Sequence, residues 1–537
     1  MLGRLALWSL VASACAQQAS EPERARLAGA PRAAKPTVEA MAPPSAEPGA
    51  PEPSLEVLNA TAPPALGSAA PAPGEAEPSA PAKRLIHSVG QTTWIRARPE
   101  VKEGAFLGYL RTGSSMPVAS EARVHGPGCP QGFWRVEPRG YVCHDRTVSL
   151  DPPEAFRLAA EATRGRPGPF PYGYAISNGT PMYNRVPTSA EQARYERWLG
   201  APGSRVPLPL TLRSHEELAS ERRIEATHPV PSFLAGGGSA RAWPFDLVEQ
   251  TIPLGSMLAY TEVFEAEGRR WLLSADHTIV PADRVRPFEP SAFRGTPLGR
   301  GVSLPIAWAR TKSRPLHIRT PEGFRIAEEE LAVRSFVELT GQRVDEGGRV
   351  WLETKRASTR GALYVDERDA TVVEAETKLA TGVRPGQKWM LIRLTQGTLT
   401  AYEDLVPVYT TLVSPGAGGV PRKGGDLVKD STTPTGTYSI TFKDRAATMS
   451  PEKGKDRSFW IADVPHTQYF HPPFALHAAY WHERFGDYVS AGCINASPLD
   501  AEHLFQWSDP PVPEGWQGAT GAGAKENGPT SAIVVRR

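Results

Sequence analysis

The sequence predicts a mainly β protein made of several small units behind a segment that does not fold. Three observations carry this expectation. A chain of 537 residues exceeds what one hydrophobic core covers, which points to three or four domains. With 54 prolines and 49 glycines against 40% apolar residues, short strands and many turns are favoured over helical bundles. From about residue 85 onward, apolar and polar residues alternate in short runs closed by Gly or Pro. The formal charge is +2 with no block of like charges, so no nucleic-acid partner and no strongly acidic ligand is expected.

The N-terminus reads MLGRLALWSLVASACAQQ. Arg4 and the apolar stretch Leu5 to Val11 have the form of an export signal over residues 1–14, too short for a permanent membrane span. Ala12-Ser13-Ala14-Cys15 also resembles a bacterial lipobox, with Ala12 where Leu is usual. Cys15 would then be lipidated, and the protein would touch the membrane only through that anchor. Ordinary cleavage after Ala14 or Ala16 is the alternative.

Residues 15–84 are dominated by Ala, Pro, Glu and Ser, as in APPSAEPGAPEPS. Such a composition cannot bury enough apolar surface to fold. The prolines extend it into a tether reaching over ~100 Å. Residues 85–150 hold short alternating strands, expected to form a small barrel, and Cys129 and Cys143 fall in two strands around a Pro-Gly turn where they could bridge. Ile95-Arg96-Ala97-Arg98-Pro99, the LGYL–RTG turn and Trp134 resemble a bacterial Src-homology-like β-barrel.

The next two units, 151–290 and 291–380, are expected to be β-rich. One helical patch stands out near Ser189 to Leu199. EGRRWLLSADHTIVPADRV and GGRVWLETKRASTRGALYVDERD echo the stretch around Trp134, each placing a Trp strand before a second apolar strand. Three related β units are one reading; Trp recurring as a core residue in unrelated hairpins is the other. The last unit, 385–537, opens with a hairpin at Gln396-Gly397 and ends in the strand SAIVVRR.

Chemistry concentrates in this last unit. Five of the twelve histidines lie within residues 466–503, and Cys493 stands in Ser490-Ala491-Gly492-Cys493. In an exported protein, a cysteine set apart from Cys15 and from the Cys129–Cys143 hairpin is either buried and inert or kept for its reactivity. Sulfur attacks as thiolate, so a histidine within reach is needed to take the proton and later return it to a leaving amine. Glycine before the cysteine permits a sharp turn, and backbone N–H groups there can hold an oxyanion. Gly492 and Ser490 are therefore candidate loop and oxyanion residues, Cys493 the candidate nucleophile and His477 its candidate base.

The spacing His477, Gly486, Ser490, Gly492, Cys493 resembles the YkuD-type L,D-transpeptidases, as does the upstream Thr433 to Tyr438 element, TPTGTY. The resemblance covers roughly residues 385 to 537. It implies a β-sandwich-like catalytic domain in which Cys493 attacks a peptidoglycan stem peptide, displaces the terminal D-Ala and passes the acyl group to an amine. His477 would be oriented by a backbone carbonyl. The amine would come from a second stem or from a protein attached to the wall, and no cofactor is implied. Asn495, Tyr480 and Trp481 become candidate substrate contacts; packing beneath the loop is the other reading of the aromatics.

Two departures stand out. Ala491 replaces the histidine usual between Ser and Gly, and Ala478 replaces the glycine usual after the first histidine. Ala491 keeps open a second function, a peptidoglycan-binding wall protein whose catalytic domain has decayed. Metal is not expected, because His466, His471, His477 and His482 lack the tight ligand pairs of zinc sites.

Overall fold

The computed structural model describes residues 83–204, 206–299, 301–449 and 459–537. The export signal, nearly all of the Ala/Pro-rich segment and Cys15 lie outside the described residues. What is described is mainly β, from the strand Leu85–Ser88 to the strand Ala532–Arg536.

In TTWIR (Thr92–Arg96), Thr93 and Ile95 turn inward, because successive side chains of a strand face opposite sides. Ile95 meets Ile86, Leu107, Leu110, Trp134 and Val142 in a small core. Cys129–Arg135 pairs with Tyr141–Cys143, and Cys129 and Cys143 form a disulfide with their Cα atoms 5.8 Å apart. This small core is completed from the far end of the chain by Trp516, Ala519 and Ala524. The strand Phe106–Arg111 pairs with Gly518–Thr520, with Gly108 opposite Ala519. A Cβ on Gly108 would lie 2.2 Å from the Gly518 carbonyl oxygen, so only glycine permits this approach.

The sequence points to one helical patch in the middle region, and the structure corrects this. Helices occupy Glu154–Ala162 and Ser189–Tyr195, and a third, Pro498–Trp507, lies in the last unit. The second is opened by a reciprocal cap, with Thr188 accepting from the Glu191 N–H and Glu191 reaching back to the Thr188 N–H. It ends at Tyr195, and the next residue, Glu196, turns its carboxylate to Arg269 and Arg284, 2.7 and 3.2 Å away.

Trp271 and Trp351 share one local device. Each indole N–H donates to the carbonyl five residues upstream, Ala266 at 2.9 Å and Glu346 at 3.4 Å. Each ring also lies under the arginine two residues before it, Arg269 or Arg349. Trp134 does otherwise and donates to His144 Nδ1. The echo is therefore structural for two of the three tryptophans.

The last unit is a sandwich. One sheet runs in the order Thr296–Pro297, Val406–Leu412, Thr398–Glu403, Lys388–Arg393, Ala532–Arg536, Gly436–Ser439. Facing it are Phe442–Met449, Ile461–His471, Phe474–Ala478 and Ile494–Ala496. Met390, Ile392, Leu399 and Ile533 from the first layer meet Leu476, Ala478, Ile494 and Ala496 from the second, with Leu504 of the helix Pro498–Trp507 alongside. Each fully buried Leu or Ile stabilises this core by about 2 kcal/mol. The helix begins at Ser497, whose hydroxyl accepts from the Asp500 N–H, and its last carbonyls accept from the buried Lys443 Nζ.

Candidate active site

The strands Phe474–Ala478 and Ile494–Ala496 run parallel, with Leu476 opposite Ile494 and His477 opposite Asn495. Leu476, Ala478, Ile494 and Ala496 point into the sandwich core. Strand alternation then puts His477, Asn495 and Cys493, two residues before Asn495, on the opposite face. On that face Cys493 packs with Phe442, Tyr469 and Ala475. A nucleophile candidate and a base candidate sixteen residues apart thus share one face of adjacent strands because the core claims their neighbours.

The loop before Cys493 is fixed by three sets of hydrogen bonds. The Ser490 N–H donates to the Pro415 carbonyl at 3.1 Å, and the Ala417 N–H donates to the Ser490 carbonyl at 2.7 Å. The Ser490 hydroxyl accepts from the Gly492 N–H at 3.1 Å and donates to the Cys493 carbonyl. Thr433 Oγ1 donates to the Gly492 carbonyl and accepts from the Gly416 N–H, both at 2.9 Å. Gly492 itself has φ +120°, and a Cβ there would lie 2.5 Å from the Phe474 ring. Its N–H is committed to Ser490, so Gly492 shapes the loop and does not donate to an oxyanion in this arrangement.

His477 Nδ1 lies 2.9 Å from the Ala478 carbonyl oxygen, which can only accept. Nδ1 therefore carries the proton, and the lone pair sits on Nε2, a buried atom with no partner. Burial pushes the His477 pKa down to about 4, against the opposing pull of the Ala478 carbonyl, so the ring is neutral at pH 7. A neutral imidazole with its Nε2 lone pair uncommitted has the form a general base needs.

The flanking residues divide. The Tyr480 ring stacks on Tyr174 of the middle region at 3.8 Å, and its hydroxyl donates to the Ala462 carbonyl at 2.8 Å. The Trp481 ring lies 6.1 Å from that of His477. The Asn495 amide lies 3.0 Å from His482 Nε2, and its backbone exchanges both hydrogen bonds with Ser414.

Of the five clustered histidines, His477 and His482 reach this site. His466 bonds the Gly168 carbonyl, and His503 packs on Tyr409. Among the described residues no group of three or more His, Cys, Asp or Glu side chains is placed to hold a metal ion. Sequence reasoning gave no role to Thr433, although its TPTGTY element was conspicuous, and none to Pro415 and Ala417, which carry no motif.

The model of the L,D-transpeptidase catalytic domain family, YkuD, matches residues 387–518. No curated protein matches the chain. Among solved structures, an L,D-transpeptidase from Mycobacterium smegmatis is 14% identical, with 45% of this chain and 100% of that one covered and a TM-score of 0.21. Those from Xylanimonas cellulosilytica and Stackebrandtia nassauensis are 18% and 20% identical, each with a TM-score of 0.19. They cover 29% and 30% of this chain, which spans 64% and 59% of theirs. Over residues 387–518, the C-terminal region of this protein is similar to the YkuD catalytic domain of the L,D-transpeptidases.

Proposed function

We propose that the protein is an exported L,D-transpeptidase of the cell envelope in which Cys493 forms a thioester with a peptidoglycan stem tetrapeptide and passes the acyl group to an amine. The observation that carries this reading is the common face of His477, Cys493 and Asn495, with His477 Nδ1 tied to the Ala478 carbonyl and Nε2 left for proton transfer.

Cys493 is disulfide-bonded in the structure, so the chemistry belongs to its reduced form, in which His477 Nε2 takes the thiol proton as Sγ attacks the acyl carbonyl carbon. The tetrahedral intermediate collapses, the C–N bond to the terminal D-Ala breaks, and its amine leaves with the proton from His477. An acceptor amine then attacks the thioester. His477 takes a proton from that amine and returns it to sulfur as the C–S bond breaks. The acceptor is a second stem or a protein destined for the wall, and Cys15 is the proposed lipid attachment. Among the described residues no helix is long and apolar enough to cross a membrane.

Ala491, where the family usually has histidine, favours a second reading, a wall-binding protein with a decayed catalytic domain. Product analysis separates the two. Full chain and its Cys493→Ala variant are incubated with a disaccharide-tetrapeptide. A cross-linked dimer lacking one D-Ala, formed by the wild type alone, supports transpeptidation. Unchanged substrate in both samples supports the binding protein.

A further inference from the structure

His482 and Asn495 hold a hydrogen-bond arrangement that only one proton assignment satisfies. The Arg484 backbone N–H donates to His482 Nδ1 at 3.2 Å, so Nδ1 presents a lone pair. A neutral imidazole carries one N–H, which must then be on Nε2, and an imidazolium has no lone pair to offer Arg484 at all. Nε2–H therefore donates across the 3.0 Å contact to the Asn495 amide. The amide atom facing it must be the oxygen, because an NH₂ there would set donor against donor. The NH₂ then occupies the other end of the amide, a buried position where no donor reaches the oxygen of the opposite amide orientation.

An unpartnered buried N–H costs stability unless a ligand satisfies it. This one belongs to a side chain on the same face as His477 and Cys493. The neighbouring rings are held in opposite tautomers, His477 with its proton on Nδ1 and His482 with its proton on Nε2. Burial, with the Arg484 charge beside it, pushes the His482 pKa down to about 3, so the ring is neutral at pH 7.

We propose that His482 is a positioning residue that turns the Asn495 carboxamide so that its NH₂ donates to an oxygen of the acyl donor, either the carbonyl under attack or the terminal carboxylate. This rests on the proposed transpeptidase reading and names the group in that site that selects an oxygen acceptor. A hydrogen bond of this kind is worth about tenfold in rate or affinity.

The test has two parts. In the full chain, ¹⁵N NMR of labelled histidine reads the His482 tautomer without any need for activity. The Nε2–H form is expected, and an Nδ1–H form overturns the proposal. His482→Gln and His482→Glu are then compared on the disaccharide-tetrapeptide, with thermal melts confirming that both are folded. Gln can donate to the Asn495 oxygen, whereas Glu only accepts and would draw the NH₂ away from the site. The Glu variant is expected to fall about tenfold below the Gln variant. A loss in kcat marks the reacting carbonyl as the acceptor, and a loss in KM marks the carboxylate. Equal activity of the two variants overturns the proposal. A wild type that turns over no tetrapeptide overturns the functional reading, while the tautomer still decides the amide orientation.

Discussion

Thr433 Oγ1 donates to the Gly492 carbonyl at 2.9 Å and at the same time accepts from the Gly416 N–H at 2.9 Å. One hydroxyl joins the TPTGTY turn, the loop after the strand Val406–Leu412 and the residue before the candidate nucleophile. The position of Cys493 thus depends on a side chain sixty residues upstream.

Thr433→Val keeps the volume and removes the hydroxyl. It leaves a buried carbonyl and a buried N–H without their partner, a loss of about 1–3 kcal/mol. The variant is expected to melt earlier and to lose tetrapeptide turnover more steeply than that stability loss explains, because the Cys493 loop is released. Thermal denaturation and turnover on the same samples check this. Unchanged turnover would show that the bridge does not position Cys493.

Gly492→Ala meets two obstacles, the positive φ and the Phe474 ring 2.5 Å from the new Cβ. Together these are expected to destabilise the protein by about 2–4 kcal/mol. Adding Phe474→Leu relieves the clash but not the backbone strain, so the double variant should recover only part of the loss. Urea midpoints of the two variants read the difference.

Acid should destabilise the fold early. Burial pushes His215, His277, His466 and His477 down to about 4 and His482 to about 3. A histidine whose folded pKa lies below its unfolded value of about 6.5 contributes stability that is present above pH 6.5 and lost as pH falls toward 4. Urea midpoints are therefore expected to drop between pH 7 and pH 5. The acid limb of kcat/KM assigned to His477 should lie below pH 5. A limb near 6.5 would place the functional base in water.

Asp444 works in the other direction. Burial raises its pKa to about 6, although the Tyr109 hydroxyl donates to it at 2.7 Å and Gln517 at 3.0 Å. A carboxyl with a raised folded pKa contributes stability that is present below about 3.9 and lost as pH rises through 6, roughly 3 kcal/mol in all. Asp444→Asn is expected to stabilise the protein at pH 8 and to have little effect near pH 4, read as urea midpoints at the two pH values.

Much of the candidate site is written in short local motifs. His477 and Cys493 stand out by residue type and spacing, and Gly492 by the turn that its φ of +120° requires. What the sequence withheld was partnership at a distance. Nothing in TPTGTY shows that the Thr433 hydroxyl reaches the Gly492 carbonyl, and Ala478 looks like a departure from the family although its carbonyl orients His477. In sequence Tyr480 is open to two readings, substrate contact or packing; its ring is stacked on Tyr174, a residue three hundred positions earlier.

The fold was legible where alternation is strong, as in TTWIR and in the hairpin Lys388–Arg393 with Thr398–Glu403. The helix Glu154–Ala162 was missed because EAFRLAAEA is short and enclosed by Pro and Gly, and its packing against the segment Ser232–Gly237 is a tertiary fact. Strand pairing also runs between units that look separate in sequence, as Gly108 opposite Ala519 shows.

The central claim is that Cys493 carries the acyl group, and the most direct measurement is the intact mass of the reduced protein after mixing with tetrapeptide in the absence of an acceptor amine. The account predicts an adduct equal to the tetrapeptide less its terminal D-Ala. It should map to the peptide containing Cys493, be released by hydroxylamine and be absent from Cys493→Ala. An adduct on another residue, or hydrolysis that persists in Cys493→Ala, would contradict it.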